Sequence, residues 1–260
     1  MRALVTGATS GIGRSIAEKL YSRGWDLILT GRNEAALAQM KERFGANAEV
    51  ITADLADRSE VMKVYDHCKG YRIDMLVNNA GYGLFGRFEE TDMEDELNML
   101  SVDIVAVHIL TKLFLRDFKK RDHGIILNVA SCAGFMTGPL MSSYYAAKNY
   151  VVRLSFAIAE ELRRDRSKVS ITVLCPGPVD TNFNNRAGVS FSVKPITADY
   201  AAEYALRKAF RRELIAIPGL AVKLGVFGSR FVPHKLLSAV VYGIQRSKTT
   251  GGKAPAAAKE

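Results

Sequence analysis

Tyr144 and Lys148 lie four residues apart, a spacing that allows their side chains to carry out proton transfer together. Residues at this spacing share one face of a helix, so the Lys148 ammonium group can approach the Tyr144 phenol. The pKa of a free phenol is about 10, which makes it a poor base at neutral pH. A nearby positive charge lowers that pKa by stabilising the phenolate. Tyr144 can then protonate a carbonyl oxygen or deprotonate an alcohol.

Four other hydroxyl groups lie near this pair in the sequence. Ser131 follows a predicted strand and can hydrogen-bond a substrate oxygen to stabilise developing charge. The alternative for Ser131 is a strand-end hydroxyl bonded to its own backbone. Tyr145 points about 100° away from Tyr144 around a helix and is expected to pack rather than react. Ser142 and Ser143 are expected to cap the helix.

The segment TGATSGIG, residues 6–13, lies between a short apolar run and a helical pattern. Its glycines let the backbone approach a pyrophosphate, and the following helix N-terminus offers free N–H groups. No Lys-Ser or Lys-Thr pair follows, which excludes the phosphate loop of a nucleotide hydrolase. A tight turn without a ligand is the alternative. The position in the opening strand–turn–helix unit favours a dinucleotide site.

The end of the second predicted strand indicates which dinucleotide is bound. A carboxylate at this point would hydrogen-bond the ribose 2′-hydroxyl of NAD. The sequence at residues 30–33 is Thr-Gly-Arg-Asn, with no acidic residue. Arg32 can form charge-assisted hydrogen bonds to a 2′-phosphate, which predicts NADP(H). The alternative is that Arg32 is a solvated surface side chain.

Seven apolar runs alternate with helical patterns along the chain. The predicted strands are 3–5, 25–30, 49–52, 73–78, 124–129, 169–174 and 214–217, and the longest predicted helices are 93–120 and 142–165. Asn33 and Asp57 are expected to cap two of the other helices. Strands that are apolar on both faces and alternate with helices predict a parallel sheet covered on both sides. We expect a single α/β domain over residues 1–247 and a disordered tail at 248–260.

The net charge of the 260-residue chain is +9, and it is concentrated near the C-terminus. Residues 1–203 hold equal numbers of basic and acidic residues, whereas residues 204–260 hold 11 basic and two acidic ones. This distribution excludes a basic nucleic-acid-binding surface over the main body. It predicts a local basic surface formed by the C-terminal segment.

Several features of the sequence indicate the cellular compartment in which the protein is expected. No run of 18 apolar residues occurs, which argues against a transmembrane helix. The N-terminus reaches a glycine turn too soon for a signal peptide. Three widely spaced cysteines, Cys68, Cys132 and Cys175, indicate a reducing cytoplasm rather than a disulfide framework. The four histidines lack metal-ligand spacing, so no metal is expected.

The motifs together resemble those of the short-chain dehydrogenase/reductase family. Besides the glycine-rich turn, they are Asn-Asn-Ala-Gly at 78–81, the YxxxK motif of Tyr144 and Lys148, and Pro-Gly-Pro-Val-Asp-Thr at 176–181. They stand in the family's order and spacing over residues 1–182. The resemblance implies a Rossmann-type, three-layer fold with about seven parallel strands. It also implies two- or four-subunit assemblies built on the two long helices.

The resemblance further implies which residues bind the cofactor. Asp54 and Leu55 would flank the adenine, Asn79 and Gly81 would line the cleft, and Lys148 would hold the ribose. Residues 176–181 would touch the nicotinamide. The full predicted cofactor set is Gly7, Thr9, Ser10, Gly11, Ile12, Gly13, Arg32, Asp54, Leu55, Asn79, Ala80, Gly81, Tyr144, Lys148, Pro176, Gly177, Val179 and Thr181.

One predicted catalytic position departs from the family's pattern. The family carries an Asn in the long helix, whose main-chain carbonyl holds a water in a proton relay to the lysine. In this sequence Asp103 occupies that place, and Asn98 lies five residues too early. An Asp can keep the carbonyl, but its buried charge needs a partner, for which Lys148 through a water is one candidate. An altered relay would also account for the departure, and so would a different register of the motif along the helix. The predicted catalytic residues are therefore Ser131, Tyr144, Lys148 and Asp103.

Residues 182–198 fall where the family carries a mobile substrate loop, and residues 218–247 form a basic, apolar extension. In the family, such extensions accompany lipid-like substrates such as steroids and acyl derivatives. Three interpretations stay open. The extension is a lid over an apolar pocket, a patch for an anionic membrane, or a subunit interface.

The residues and the resemblance together predict an NADP(H)-dependent oxidoreductase that interconverts a carbonyl and a secondary alcohol. Tyr144 would act as general acid and base on a hydrophobic small molecule, either steroid-like or acyl. The alternatives are an NADP-binding sensor or scaffold with little turnover, and a membrane-peripheral interaction protein. A cytoplasmic homodimer or homotetramer is expected.

Overall fold

A seven-stranded parallel sheet forms the centre of the molecule. The computed structural model describes residues 1–181 and 195–246. The strands in chain order are β1 (Arg2–Thr6), β2 (Asp26–Gly31), β3 (Ala48–Thr52), β4 (Met75–Asn78), β5 (Gly124–Val129), β6 (Val169–Leu174), β7 (Val179–Asp180), β8 (Ile196–Thr197) and β9 (Ile215–Ala216). The large sheet has the order β3-β2-β1-β4-β5-β6-β9. This confirms the predicted Rossmann-type single-domain fold.

Helices cover both faces of this sheet. Within the described residues they are α1 (Gly11–Tyr21), α2 (Glu34–Phe44), α3 (Arg58–Cys68), α4 (Met93–Leu100), α5 (Val107–Lys120), α6 (Ser142–Arg164), α7 (Ala198–Phe210), α8 (Leu220–Gly228) and α9 (His234–Arg246). Helices α1, α2 and α7 contribute to the apolar core on one face, and α3, α5 and α6 to the core on the other. The result is a three-layer α/β/α arrangement.

Alternation along the strands explains why both cores are apolar. In β1, Ala3 and Val5 belong to the core beneath α1, whereas Leu4 belongs to the core beneath α5. Successive side chains of a strand point to opposite faces, so a strand buried on both sides must be apolar throughout. The predicted strands carried this pattern, although β4 begins at Met75 rather than at residue 73.

Local capping fixes two of the helices as expected. The side chain of Asn33 accepts a hydrogen bond from the N–H of Ala36 at 2.9 Å, and Asp57 accepts one from Ser59 at 2.7 Å. The predicted caps of α6 are wrong. Met141 occupies the N-cap position, and the Ser143 hydroxyl instead donates to Glu96 at 2.7 Å. Ser143 therefore links α6 to α4 because a carboxylate acceptor lies within its reach.

The segment Met93–Lys120 is one long helical stretch with a π-helical turn, Ser101–Ala106, between α4 and α5. Its length and apolar composition would suffice to cross a membrane. In the fold, however, Leu110, Phe114 and Phe118 are buried in the core between α5 and the sheet. The apolar character of α5 is therefore explained by core packing. The π-turn is the element that carries Asp103, and such turns often occur at functional sites.

Two predicted segments lie largely or wholly outside the described residues. The substrate loop expected at 182–198 is described only from residue 195, where β8 pairs in parallel with β7 and α7 begins. This small parallel pair was not predicted, because two-residue strands leave no alternation in the sequence. The tail expected at 248–260 lies outside the described residues.

Candidate active site

The glycine-rich turn connects the carboxyl end of β1 to the N-terminus of α1. Gly7 has a φ of +61°, a left-handed conformation that favours glycine. A Cβ on Gly7 would lie 2.8 Å from the Cα of Ala80, and one on Gly13 would lie 2.3 Å from the Gly7 carbonyl oxygen. Glycine is therefore needed at both positions for the turn to pack this closely.

Thr6 and Asn79 fasten this turn to the end of β4. The Thr6 hydroxyl accepts hydrogen bonds from the N–H groups of Asn79 (2.9 Å) and Ala80 (3.0 Å). The Asn79 amide donates to the carbonyl oxygens of Thr6 at 3.0 Å and Gly7 at 3.1 Å. Asn79 therefore holds the backbone of the glycine turn in place, in addition to lining the cleft beside it.

A cleft with a volume of about 620 Å³ runs along the carboxyl ends of the strands. It is lined by every predicted catalytic and cofactor-binding residue except Gly13 and Asp103. Gly13 instead packs against the Asn79 amide, and Asp103 lies beside Gly81 and Lys148. The structure thus brings the motifs, which span 175 residues of sequence, into one cavity. Open parallel sheets bind ligands at this edge.

Arg32 and Asp54 face each other at the outer end of the cleft. The Arg32 guanidinium lies 3.5 Å from the Asp54 carboxylate, and both side chains are about half exposed. A Cβ on Gly31 would come within 3.2 Å of the Thr9 side chain, so the turn also packs against the end of β2. Arg32 is thereby placed beside the glycine turn, with its charge partly balanced but open to solvent.

Ser131, Tyr144 and Lys148 converge at the inner end of the same cleft. Ser131 lies just after β5 and accepts a hydrogen bond from the N–H of Ala133 at 3.1 Å, which orients its hydroxyl. Its side chain also hydrogen-bonds that of Tyr144. Lys148 lies one turn further along α6, with its ammonium nitrogen 5.6 Å from the centre of the Tyr144 ring. Sequence spacing predicted this shared face.

Asp103 forms a direct ion pair with Lys148, rather than one through a water. The Asp103 carboxylate lies 2.9 Å from the Lys148 ammonium nitrogen and accepts a hydrogen bond from the N–H of Tyr82 at 3.0 Å. Asp103 is completely buried. A Cβ on Gly81 would come within 2.8 Å of the carboxylate and 3.0 Å of the ammonium group. The glycine at position 81 therefore makes room for the ion pair.

This arrangement shifts the acidity of Tyr144. Burial and the neighbouring Asp103 carboxylate raise the pKa of the Tyr144 phenol, whereas the hydrogen bond with Ser131 lowers it. The Lys148 ammonium would favour the phenolate, but its charge is compensated by Asp103 at short range. The balance of these groups raises the pKa of the Tyr144 phenol, and burial contributes most.

Helix α9 forms one wall of the cleft, as one of the three interpretations of residues 218–247 predicted, but its individual contacts were not predicted. Val241, Ile244 and Gln245 line the cavity, and the Gln245 amide donates a 2.6 Å hydrogen bond to the Tyr145 hydroxyl. Burial raises the pKa of Tyr145 to about 12. Tyr145, expected only to pack, therefore forms part of the cavity wall and anchors α9. A second anchor joins the hydroxyls of Thr137 and Ser238 at 2.6 Å.

Comparison with known proteins agrees with this geometry. The family model described as short chain dehydrogenase matches residues 1–189. The chain is 30% identical to the 3-oxoacyl-[acyl-carrier-protein] reductase FabG of Escherichia coli over 219 residues, which cover 80% of this chain and 88% of that protein.

Two solved structures extend the comparison to bound cofactors. A short-chain dehydrogenase from Sphingobium yanoikuyae in complex with NADPH matches with a TM-score of 0.79 and 28% identity, covering 99% of this chain and 98% of the other. A short-chain dehydrogenase/reductase from Burkholderia phymatum in complex with NAD matches with a TM-score of 0.79 and 25% identity, covering 87% and 91%. The chain therefore belongs to the short-chain dehydrogenase/reductase family of oxidoreductases that use a nicotinamide cofactor.

Proposed function

We propose that this protein is an NADP(H)-dependent oxidoreductase that interconverts a carbonyl and a secondary alcohol on a hydrophobic substrate. The observation that carries the proposal is the convergence of Ser131, Tyr144 and Lys148 at the inner end of a cleft. The glycine turn and Arg32 lie at the other end of that cleft. A dinucleotide and a substrate can therefore occupy one continuous cavity.

The residues of the cleft fit a nicotinamide dinucleotide. Gly7 and Gly11 have positive φ values, and there is no room for a Cβ on Gly7 or Gly13. The backbone of the turn therefore forms a cradle at the N-terminus of α1. Such a cradle accepts a pyrophosphate through backbone N–H groups and the helix dipole. When bound, the nicotinamide supplies the hydride for reduction or accepts it in oxidation.

Arg32 is the basis for choosing NADP(H) over NAD. Its guanidinium lies at the end of β2, where an NAD-specific site would carry a carboxylate. The adjacent Asp54 compensates part of its charge at 3.5 Å, but both groups remain about half exposed. Arg32 can therefore turn toward a 2′-phosphate without breaking a buried contact.

The four predicted catalytic residues have separable roles. Tyr144 moves the proton to or from the substrate oxygen, and Ser131 holds that oxygen through its oriented hydroxyl. Lys148 holds the cofactor ribose and faces Tyr144 across one helical turn. Asp103 touches neither ligand, because it lies outside the cavity wall. It is a positioning residue that acts through Lys148 and Tyr144.

The raised pKa of Tyr144 sets the pH dependence of the two directions of the reaction. Reduction needs a protonated phenol to donate to the substrate oxygen, whereas oxidation needs the phenolate as a base. Burial and the Asp103 carboxylate both favour the protonated form. An ordinary phenol is already protonated at neutral pH, so the raised pKa moves the onset of alcohol oxidation to higher pH and leaves the phenol available for carbonyl reduction.

The walls on the substrate side favour an apolar substrate. Met136, Met141, Val241 and Ile244 line this part of the cleft, together with the ring of Tyr145. Flexible methionines adapt to irregular apolar groups. Acyl and steroid-like carbonyl compounds fit this lining, and the relative from Escherichia coli is by name a 3-oxoacyl reductase.

The direct test is oxidation of NADPH by the purified protein with a panel of acyl, steroid and small aldehyde or ketone compounds. We expect turnover with at least one apolar carbonyl compound and a lower rate with NADH. Binding of NADPH without turnover of any compound would contradict the proposal. It would support the alternative of a cofactor-binding sensor or scaffold, which the compensation of Lys148 by Asp103 favours.

A further inference from the structure

Helices α8 and α9 expose an unusual density of large apolar side chains. More than half of the exposed large hydrophobic side chains within residues 1–181 and 195–246 lie between residues 220 and 244. They are Leu220, Leu224, Phe227, Phe231, Leu236, Val240, Tyr242 and Ile244. We refer to these eight residues as the apolar face. A concentration of exposed apolar side chains in one segment indicates an interaction site.

The apolar face is separate from the wall of the cleft, apart from Ile244, which borders both. On α9, Val241 and Gln245 are buried and point into the cavity, whereas Leu236 and Val240 lie on the outer side and are more than half exposed. Leu236, Val240 and Ile244 follow one another at intervals of four, which aligns them in one stripe. Helix α9 therefore presents one side to the substrate cavity and an apolar side to the exterior.

Helix α8 and the turn after it, Ser229–Phe231, carry four further members of the apolar face. Leu220, Leu224 and Phe227 recur at the spacing of one helix face and are each more than half exposed. Phe231, which is 74% exposed, contacts the ring of Phe227 with a centroid distance of 5.3 Å. The rings of Phe227 and Phe231 pack on each other and together present a large exposed apolar surface.

The charges in this segment are all positive. Lys223, Arg230, Lys235 and Arg246 lie between residues 214 and 246, which contain no Asp or Glu. Among the described residues, none of the ion pairs involves Lys223, Arg230 or Lys235. On α9, Lys235 and Arg246 lie to one side of the apolar stripe, and neither lines the cavity. Apolar side chains bordered by cations are the pattern of a helix that lies in the surface of an anionic bilayer.

The charge of this segment favours a membrane over a second copy of the chain. In a two-fold interface the same patch meets itself, so the cations of one chain would face those of its partner. No acidic residue of the segment is present to compensate them. An anionic phospholipid surface, by contrast, offers both an apolar layer and negative charge, and it attracts each nearby Lys or Arg.

We propose that α8, the turn at Ser229–Phe231 and α9 form a docking face for the surface of an anionic phospholipid membrane. Because the inner side of α9 walls the cavity, docking would bring the substrate side of the cleft next to the bilayer. An apolar carbonyl substrate could then enter without crossing water. This last step rests on the proposed function, whereas docking itself does not.

The test is co-sedimentation of the full-length protein with vesicles of phosphatidylcholine alone, or of equal parts phosphatidylcholine and phosphatidylglycerol. We expect binding to the anionic vesicles at about 0.01 M salt and weaker binding at about 1 M salt, where the screening length falls from ~30 Å to ~3 Å. The variants Phe231→Ser with Leu236→Ser, and Lys223→Glu with Lys235→Glu, should each reduce binding about tenfold or more.

Matched controls lie on α3, outside the docking face. Met62 and Arg58 are exposed there, so Met62→Ser and Arg58→Glu change the same kinds of side chain without touching α8 or α9. Both controls should bind vesicles as the unmodified chain does. The docking-face variants should keep wild-type rates of NADPH oxidation with a water-soluble aldehyde, because none of the four substituted residues lines the cavity.

Three outcomes would overturn the proposal. The first is equal sedimentation of the protein with both vesicle types, and the second is vesicle binding by the docking-face variants that equals that of the α3 controls. The third is a dimer, seen in sedimentation velocity, that dissociates when Phe231→Ser and Leu236→Ser are introduced. The last would assign the face to a second copy of the chain. Turnover of a soluble aldehyde without vesicle binding would refute docking alone, and vesicle binding without any turnover would refute the proposed function alone.

Discussion

The carboxylate of Asp103 lies 2.9 Å from the ammonium group of Lys148, and both side chains are buried beside the cleft. Gly81 has no side chain, which leaves room for the pair, and the N–H of Tyr82 donates to the same carboxylate. In the register that the motif resemblance favours, the corresponding residue of the family is an uncharged Asn. In this protein Lys148, one helical turn from the proposed proton donor Tyr144, is therefore paired directly with a carboxylate.

Replacing Asp103 by Asn tests how this charge controls Tyr144. The Asp103 carboxylate is, after burial, the second contribution that raises the pKa of the Tyr144 phenol, so its loss lowers that pKa. Alcohol oxidation needs the phenolate, and the rising limb of its kcat profile should move to lower pH. Carbonyl reduction needs the phenol, and its falling limb should move in the same direction.

The control is Asp117→Asn, which removes a carboxylate that accepts a 2.7 Å hydrogen bond from Tyr65 outside the cleft. Its kcat profiles should superimpose on those of the unmodified protein. If the kcat profiles of Asp103→Asn also superimposed on those of the unmodified protein, Asp103 would not influence the reacting proton.

Gly81→Ala probes the space required by the ion pair. The added Cβ would lie 2.8 Å from the Asp103 carboxylate and 3.0 Å from the Lys148 ammonium group. Overpacking of this kind lowers the free energy of unfolding by about 1–3 kcal/mol. Urea unfolding measures the effect, and loss of turnover should accompany it.

Gly225→Ala provides a matched comparison. A Cβ at this position in α8 meets no atom within 4 Å among the described residues, and the backbone is helical. Alanine should therefore raise the free energy of unfolding by about 0.5–1 kcal/mol. If Gly81→Ala changed stability in the same direction as Gly225→Ala, the crowding around Gly81 would not be as described.

The sequence predicted the motifs better than their mutual contacts. The spacing of Tyr144 and Lys148 and the glycine turn are local patterns, and a helix or a tight turn follows directly from such patterns. The Asp103–Lys148 pair joins α6 to a π-turn 45 residues earlier, and the sequence offered Lys148 as a partner of Asp103 only through a water, not by direct contact.

Long-range packing explains the other differences. Gln245 reaches Tyr145 across 100 residues, a contact that no periodicity records. Ser143 was expected to cap α6, but Glu96 on α4 offers its hydroxyl a charged acceptor that sequence reasoning could not place. Asn79 clamps the glycine turn only because β1 and β4 are neighbours in the sheet.

Arg32→Ala tests the preference for NADP(H). A hydrogen bond to a charged group contributes about 1.5–3 kcal/mol, so the KM for NADPH should rise about tenfold to a hundredfold. The KM for NADH should remain close to its original value, because NADH carries no 2′-phosphate. Steady-state rates with each cofactor give both quantities.

The control for Arg32 is Arg14→Ala on α1. Arg14 pairs with Glu18 and is exposed outside the cleft, so neither cofactor should be affected. An equal rise of both KM values in Arg32→Ala would mean that Arg32 supports the cleft without recognising a 2′-phosphate.

Tyr145→Phe tests the anchoring of α9. The substitution removes the acceptor of the 2.6 Å hydrogen bond from Gln245, and the loss of such a hydrogen bond costs about 0.5–1.5 kcal/mol. Because α9 forms the substrate wall, the KM for an apolar carbonyl compound should rise about fivefold or more, whereas kcat should change little.

The control is Tyr150→Phe on α6, the helix that also carries Tyr145. The Tyr150 hydroxyl hydrogen-bonds His108 outside the cleft. A fall in kcat at constant KM would place Tyr145 in the chemistry instead.

The central claim is that Tyr144 transfers the proton, and Tyr144→Phe tests it most directly. The decisive measurement is kcat for NADPH-dependent carbonyl reduction, with NADPH affinity determined on the same samples from its fluorescence. The account predicts a fall in kcat of about 10²–10⁴-fold with unchanged NADPH affinity, because only the acidic hydroxyl is lost. Turnover that remained close to that of the unmodified protein, with NADPH still bound, would contradict it.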